Sequence, residues 1–424
     1  MKERLTLTDV KLILFNTLGY TLMVYNAGSV IAFTSPYLIS SILFNSFPFS
    51  LIGIYGSIVI SYFTRIIGSA ILGPIADKVG RKKAMVVGGI GSSISTFLIS
   101  LIPPYDSAGL LSPILFFSLI GLQGFFSGPL SAGIQVIGIE NLPEKHRGWF
   151  SGIGFVVGGT SLLYATSLSY LVSSLIGNYN YEVYGWRFLY AGSLLVIPVC
   201  YLSPDSARFK NYRRKVSKPV KLVFLKYRKN LIFALLLSFL WASLNFSVIV
   251  IMPNFLYSVN GLRETSLNEA TAIYSITSSL SAFLGGAISE VLGRRKVSII
   301  GSILSFISSP LYIFLGNTMN FEQISLYLTG ITTLTFFGAG GILALVNESF
   351  PTEVRGTGVS LSWNTGFFLG TIVPLISSIL ISKYGVNYFP EIQAIIVFSL
   401  SLTALLTSLL SEETKGRIEK EEQV

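Results

Sequence analysis

The chain carries two charged sequence elements, and each of them occurs twice. Gly73-Pro-Ile-Ala-Asp77-Lys-Val-Gly80-Arg81-Lys82-Lys83 returns as Gly286-Ala-Ile-Ser-Glu290-Val-Leu-Gly293-Arg294-Arg295-Lys296. Further along, Glu140-Asn-Leu-Pro143-Glu-Lys-His146-Arg147-Gly148 returns as Glu348-Ser-Phe-Pro351-Thr-Glu-Val-Arg355-Gly356. The same elements therefore appear in the same order in both halves of the chain. This pattern indicates an internal duplication, which is common in membrane carriers.

The sequence between these elements is apolar. Hydrophobic residues make up 51% of the chain and charged residues only 12%, with a mean hydropathy of +0.67. Soluble domains carry about 25% charged residues, and a membrane-spanning helix needs about 20 mainly apolar residues. The uncharged stretches predict an all-α membrane protein with twelve transmembrane helices. The first long stretch, 12–64, holds two of them, with a break near Asn45–Pro48, and the stretch 188–204 is the shortest.

The twelve predicted helices divide into two sets of six. We expect the first set over residues 1–203, a basic cytoplasmic linker over 204–230, the second set over 231–411 and a cytoplasmic tail over 412–424. The linker holds ten Lys and Arg residues against one acid, which favours a surface helix or tether over a folded domain.

The distribution of Lys and Arg predicts the orientation. With both termini in the cytoplasm, nearly all of the 30 Lys and Arg residues fall on the inner side. The outer segments hold only Arg187, Arg263 and Lys383, and Arg65 lies inside a span. This asymmetry follows the positive-inside rule, so the net charge of +10 is a topology signal and not a sign of nucleic-acid binding. We expect a multi-pass protein of the cell membrane that works as a monomer within the lipid bilayer.

The repeated charges lie at helix ends that do not suit them. Four acids fall at the carboxyl ends of even-numbered spans, where each is disfavoured by roughly 0.3–1 kcal/mol beside the helix dipole: Asp77, Glu140, Glu290 and Glu348. Two arginines, Arg147 and Arg355, begin odd-numbered spans at positive helix ends. We expect these groups to satisfy one another or neighbouring helix ends, which would tie different helices together. The alternative is a set of turn residues and topology signals.

These motifs resemble those of the major facilitator superfamily, and the resemblance covers essentially the whole chain. The first repeated element is similar to the signature loop of that family, and the second is similar to the sugar-porter and metabolite–proton symporter branches. Further similarities lie in Gly185-Trp186-Arg187-Phe188, Pro204-Asp-Ser206-Ala-Arg208, Glu413-Thr414-Lys415-Gly416 and Arg65-Ile-Ile-Gly68. Glu412 stands where the family favours proline.

The resemblance implies two six-helix bundles around a central cavity, with alternating access by rocking of the halves. It also implies an ionic latch on the cytoplasmic side in the outward-open state. The latch roles fall on Asp77, Arg81, Glu290 and Arg294, with Glu140, Arg147, Glu348 and Arg355 as partners. Gly73, Gly80 and Gly293 belong to the same gating set, because glycine allows close helix contact and tight turns.

Arg65 is the candidate substrate-binding residue. It lies about 18 Å from Asp77 along the helix, near the middle of the second span. A charge at that depth costs roughly 2.5–3.5 kcal/mol and needs water, a partner or a ligand. The acids all lie in loops or near span ends, so we expect Arg65 to bind an anionic group of the substrate. The alternative is a structural arginine bonded to carbonyls and tyrosine hydroxyls.

Other polar groups within the spans are further candidates for substrate binding: Tyr25, Asn26, Gln123, Trp241, Asn245, Trp363 and Asn364. Trp241 and Asn245 are one helical turn apart and share a face. Hydrogen bonding between helices is the competing explanation for each of these residues.

The sequence therefore predicts a secondary transporter of a small organic solute, either a carboxylate or a sugar. Uptake with proton symport is inferred from the family alone, because Gly19–Gly28 in the first span contains no acid. A uniporter, an exchanger, an efflux carrier and a non-transporting sensor are the alternatives. An enzyme is not expected, since no mid-membrane constellation of acid, histidine and cysteine exists; His146 is a loop residue and Cys200 the single cysteine. We expect no cofactor and no metal.

Overall fold

The computed structural model describes residues 6–26, 30, 43, 49–204, 218–262 and 264–418. A few side chains within these ranges, including those of residues 74–78, are outside the described part. Across the described residues the secondary structure is helical and contains no β-strand.

Six helices build the first half of the chain. They are α1 (Leu7–Val24), α2 (Phe49–Lys78), α3 (Arg81–Ile99), α4 (Leu111–Asn141), α5 (Arg147–Ile176) and α6, which crosses over Val183–Leu202 in short helical segments. The predicted break near Asn45–Pro48 lies outside the described residues.

Six more helices build the second half, after a short linker helix at Pro219–Leu225. Four of them consist of two segments each. They are α7 (Arg228–Ile249 and Met252–Ser258), α8 (Glu264–Leu292), α9 (Arg294–Ser308 and Leu311–Gly316), α10 (Phe321–Phe336 and Ala339–Glu348), α11 (Arg355–Gly370 and Ile372–Tyr384) and α12 (Phe389–Leu410).

The prediction of twelve spans is confirmed. Eleven of the described helices are long and apolar enough to cross a membrane. The remaining helix, α3, has 19 residues, begins with three cations and buries a face rich in Gly and Ser against α4. Its lower hydropathy follows from that small-residue face, which suits close helix contact in a bilayer. The domain boundaries stay a prediction, because residues 205–217 of the linker are outside the described part.

Small residues set the distance between helices within each half. A Cβ added to Gly68 of α2 would lie 1.8 Å from the backbone oxygen of Phe125 in α4, and one added to Gly285 of α8 would lie 1.8 Å from the oxygen of Phe337 in α10. Elsewhere in the second half, hydrogen bonds between serine hydroxyls join neighbouring helices. Ser298 and Ser305 of α9 pair with Ser408 and Ser401 of α12, both at 2.7 Å.

The two halves meet along two pairs of helices. The pair α5 and α8 is in close contact near Gly148 and Gly286, where an added Cβ on Gly286 would lie 2.5 Å from the oxygen of Gly148. The pair α2 and α11 packs through aromatic side chains, with the rings of Tyr62 and Phe367 at 6.0 Å. The loops that carry the repeated charges all lie at one end of this interface, which we call the charged end.

The contact at Gly68 provides a test of the helix packing. We expect Gly68→Ala to lower the free energy of unfolding by about 1–3 kcal/mol, because the methyl group would force α2 away from the backbone of α4. Thermal unfolding of the purified protein in detergent is the measurement. Gly56→Ala is the matched control on the same helix, since an added Cβ there meets nothing within 4 Å. Equal melting temperatures for the two variants would contradict the packing described.

Candidate functional site

Glu140, at the end of α4, joins the two halves at the charged end. Its buried carboxylate accepts hydrogen bonds from Arg81 of α3 at 3.0 Å and from Arg355 of α11 at 3.2 Å. Arg81 also donates to the backbone oxygen of Thr352 in the second half, at 3.1 Å. One carboxylate thus holds arginines from both halves.

The repeated element of the second half forms a similar cluster around Arg294. This buried guanidinium pairs with Glu348 at 3.4 Å and with Glu290 at 3.2 Å. Thr414, in the segment after α12, donates its hydroxyl to Glu348 at 3.0 Å. The segment that follows α12 is thereby tied to the same cluster.

Glu290 provides a second link between the halves. Its carboxylate accepts a hydrogen bond from the backbone N–H of Gly148, in the first turn of α5. The amino end of a helix carries a partial positive charge and unpaired N–H groups, so a carboxylate is favoured there. Glu290 is therefore unfavourably placed on its own helix, α8, but favourably placed beside α5.

Arg147 and Arg355 repeat one arrangement in the two halves. The Nε atom of Arg147 donates to the oxygens of Ile139 and Leu142, eight and five residues earlier. The Nε atom of Arg355 does the same with Asn347 and Phe350. The last carbonyls of a helix lack partners within it, so each arginine completes the carboxyl end of the preceding helix.

The remaining gating candidates surround these ion pairs. Gly80 and Gly293 have φ values of 137° and 95° and precede α3 and α9, in a conformation that glycine adopts without strain. Gly73 faces Ser360 of α11, with 3.7 Å between an added Cβ and the serine oxygen. The backbone of Asp77 lies in the last turn of α2, but its side chain is outside the described part.

A layer of neutral hydrogen bonds lies further into the membrane. Asn364 of α11, a predicted substrate-binding residue, donates to Ser69 of α2 at 2.8 Å. This hydrogen bond crosses the interface between the halves. On the other side of the interface, the N–H of Ala344 donates to Ser151 of α5 at 3.1 Å. Asn364 is about 13 Å from Arg355 along α11, which places this layer between the ion pairs and the membrane middle.

Arg65 lies deeper still, at the interface between the halves. The residue is only 4% exposed, and its guanidinium stacks on the ring of Tyr62 at 4.1 Å. Among the described residues, its Nε and Nη2 atoms have no hydrogen-bond partner. The side chain that the sequence predicted as an anion-binding group therefore offers free N–H groups.

The sequence analysis missed two polar residues within the spans. The amide of Gln135 in α4 donates to the hydroxyl of Tyr20 in α1 at 3.0 Å. Both side chains are buried. The available signal was the same one that selected Gln123, a lone amide in the apolar sequence of α4.

Aromatic side chains from both halves enclose this region. Trp363 stacks on Phe367 at 4.8 Å between ring centres, and Phe246 of α7 lies 5.6 Å from Tyr62. Phe155 of α5 contacts Trp363 at 6.3 Å. Such a wall excludes water, which strengthens the electrostatic effect of the Arg65 charge.

Other predicted binding residues lie away from Arg65. The Tyr25 hydroxyl donates to the oxygen of Leu189, within the first half. The Gln123 amide accepts from Ser61 at 2.8 Å and donates to Ser127 at 2.9 Å, also within the first half.

The three remaining binding candidates are Trp241, Asn245 and Asn26. An added Cβ on Gly338 would lie 2.3 Å from the ring of Trp241, so this ring packs inside the second half. Asn245, one turn further along α7, is half-buried. Asn26 is buried and has no hydrogen-bond partner among the described residues.

Two six-helix halves that are joined at one end by buried contacts of charged side chains define a multi-pass membrane carrier. The profile of the Major Facilitator Superfamily matches residues 17–267 and 235–423, and the chain belongs to this family. It is a secondary transporter of small solutes and not an enzyme.

Known proteins are similar to the chain over most of its length. A putative metabolite transport protein of Haemophilus influenzae is 26% identical, with 93% of this chain and 92% of that protein aligned. A citrate-proton symporter of Klebsiella pneumoniae is 26% identical over 76% of this chain and 74% of its own. The solved structure of a proton:xylose symporter, XylE, bound to 6-bromo-6-deoxy-D-glucose, has a TM-score of 0.77 at 16% identity, with 98% of each chain covered. That likeness is one of fold.

Glu140 provides a test of the contacts at the charged end. We expect Glu140→Gln to separate the halves there, because it leaves Arg81 and Arg355 buried without their shared anion. Breaking a buried ion pair in this way costs about 3–5 kcal/mol. Spin labels at the exposed positions Val79 and Val291, one in each half, would report the distance between the two loops in a Cys200→Ser background.

The matched control for this experiment is Glu412→Gln. Glu412 pairs with Arg417 at the same end of the protein, but its side chain is 83% exposed. An exposed pair contributes little, so the distance distribution should stay that of the unmodified protein. A distribution for Glu140→Gln equal to that of the control would contradict the linking role of Glu140.

Proposed function

We propose that the protein carries a small organic anion across the membrane, with Arg65 as the group that binds it. The observation that carries this proposal is the buried guanidinium whose Nε and Nη2 atoms lack a partner among the described residues. A buried, unpaired charge is strongly unfavourable, and a carboxylate that accepts two parallel hydrogen bonds from one edge of the guanidinium would relieve it. A neutral sugar, the other substrate class that the sequence allowed, would leave the charge uncompensated.

Transport proceeds by alternating access in this proposal. The charged end is the cytoplasmic one, with both termini on that side, as the distribution of Lys and Arg indicates. The contacts Glu140–Arg355 and Glu290–Gly148 close the inner side, and the substrate reaches Arg65 from outside. Asp77, the counterpart of Glu290 in the internal repeat, has the same gating role in this proposal. Both helix pairs of the interface lie within one chain, which supports the monomer as the transporting unit.

We further propose that the anion enters together with protons. An inside-negative potential opposes the uptake of a lone anion by about 2.3 kcal/mol per charge at 100 mV. The name of the Klebsiella pneumoniae relative, a citrate-proton symporter, supports such coupling. No Asp, Glu or His of the sequence lies in the middle of a span. The carboxyl groups available to the proton are therefore those of the substrate and those at the ends of the spans.

Substitution of Arg65 tests the binding role. We expect Arg65→Gln to weaken binding of an anionic substrate by about 100-fold, and Arg65→Lys by about tenfold, because lysine keeps the charge but loses the planar fork. Binding of labelled citrate, malate and lactate to the purified protein is the measurement.

Arg187→Lys is the matched control for Arg65. Its guanidinium donates to the oxygens of Ser100 at 3.0 Å and Val183 at 3.2 Å, away from the interface between the halves. We expect no change in anion affinity for this variant. An Arg65→Gln protein that binds as tightly as the Arg187→Lys control would exclude the proposed role.

Proton coupling is tested in proteoliposomes. We expect an acidic exterior to accelerate uptake several-fold, because protons supply the driving force, and a protonophore to abolish the acceleration. If uptake ignores the pH gradient and is instead stimulated by unlabelled anion inside the vesicle, the protein exchanges anions and the symport proposal is wrong.

A further inference from the structure

We infer that the protein binds an anionic phospholipid in a groove between α8, α9 and the segment that follows α12, residues 411–418. The phosphate group of the lipid contacts the cations of the groove, and its acyl chains contact the apolar rim. This inference goes beyond the proposed transport function and does not depend on which substrate binds Arg65.

The groove lies at the charged end, at the surface of the second half. It has a volume of about 530 Å³ and lies beside Gly293, where α8 ends and α9 begins. Small-ligand sites in proteins measure about 300–1,000 Å³, so the groove is large enough for a phospholipid headgroup. Basic pockets between helices on the cytoplasmic side of a membrane are typical sites for anionic headgroups.

Three cations line the groove, and none of them is paired with a carboxylate among the described residues. They are Arg295, Lys296 and Lys415. The guanidinium of Arg295 donates to backbone oxygens in the last turn of α12, and the ammonium of Lys415 donates to the backbone oxygen of Glu290. Lys296 is exposed, and its ammonium has no partner within the described part of the chain. The positive charge of the groove therefore needs an anion.

The one acid among the lining residues already binds backbone groups. The carboxylate of Glu413 accepts hydrogen bonds from the N–H groups of Arg294 at 3.0 Å and Arg295 at 3.2 Å. It thereby satisfies N–H groups at the amino end of α9 that have no partner within the helix. The helix end is therefore occupied, and the side-chain cations are the groups that attract a ligand.

The rim of the groove is apolar, which favours a lipid over a free phosphate ion. Val291 is 81% exposed and Leu292 is 40% exposed, and both lie in the last turn of α8. Ile299 lies about 6 Å further along α9 than Arg295, towards the middle of the membrane. The groove thus extends from the level of the charges to that of apolar side chains, as an amphipathic ligand requires.

The segment after α12 connects the groove to the contacts of the charged end. Thr414 donates its hydroxyl to Glu348 at 3.0 Å. The next residue, Lys415, lines the groove and binds the backbone oxygen of Glu290, whose carboxylate links the two halves. A lipid on Lys415 therefore holds this segment against the charged end.

Lipid binding to the purified full-length protein in neutral detergent tests the inference. We expect phosphatidylglycerol to bind more tightly than phosphatidylcholine, because only the first carries a net negative charge. Lys296→Gln should weaken binding of phosphatidylglycerol about fivefold, since each basic residue near an anionic lipid contributes roughly that factor. Native mass spectrometry with each lipid is the measurement.

Lys83→Gln is the matched control for Lys296→Gln. Lys83 is the counterpart of Lys296 in the internal repeat, is also exposed and lies outside the groove. We expect this variant to bind phosphatidylglycerol as the unmodified protein does.

Trypsin reports where the lipid binds. We expect phosphatidylglycerol to slow cleavage after Lys415 several-fold in the unmodified protein, and to have a smaller effect in Lys296→Gln. Cleavage after Lys145, which is exposed in the first half, should proceed at the same rate with either lipid. Equal slowing at both sites would show that the lipid acts on the whole surface, and would overturn the inference.

Three other results would also overturn it. Equal binding of the two lipids would show that charge is not recognised. Equal affinities of Lys296→Gln and Lys83→Gln for phosphatidylglycerol would show that the groove is not the site. If inorganic phosphate protects Lys415 from trypsin as well as the lipid does, the groove holds a free ion and the apolar rim has no part in binding.

Discussion

The ion pair between Glu140 and Arg355 is the contact on which the arrangement of the two halves depends. Both side chains are 0% exposed and come from different halves, and the same carboxylate also holds Arg81. Charges buried in this way are strongly unfavourable when separated and favourable only with good geometry. The contact is therefore either complete or broken. Such two-state behaviour suits a gate, since intermediate openings would leave charges both dehydrated and unpaired.

The duplication makes the two halves similar at this end but not identical. Arg147 and Arg355 complete the ends of α4 and α10 in the same way, through the same pair of backbone positions. Glu140 holds Arg81 of its own half and Arg355 of the other, and Glu348 accepts hydrogen bonds from Arg294 and from the Thr414 hydroxyl. A further link between the halves is made by Glu290 at the amino end of α5.

Arg65 is the opposite case to the arginines of the charged end. Those side chains have carboxylates or helix-end carbonyls within hydrogen-bond distance, whereas the Nε and Nη2 atoms of Arg65 have none among the described residues. The stacking on Tyr62 gives a cation–π contact, which compensates only part of the loss of water. Two of the three guanidinium nitrogens of Arg65 therefore remain without a hydrogen-bond partner among the described residues.

The sequence alone determined the twelve spans and the duplication. It also showed that the charges at unfavourable helix ends need partners. Hydropathy, repeat spacing and position at a helix end can all be read directly from the chain. It also predicted that Arg65 needs a partner or ligand, since depth follows from the position within a span. It did not reveal that Gln123 is fully bonded while Gln135 has a free atom, or that Asn364 bonds across the interface. Which carboxylate meets which arginine, and which polar side chain faces the interface, were decided by the tertiary structure. These properties depend on the rotation of each helix about its axis. That rotation is determined by contacts between residues far apart in the chain, such as Gly68 against Phe125 and Gly148 against Gly286.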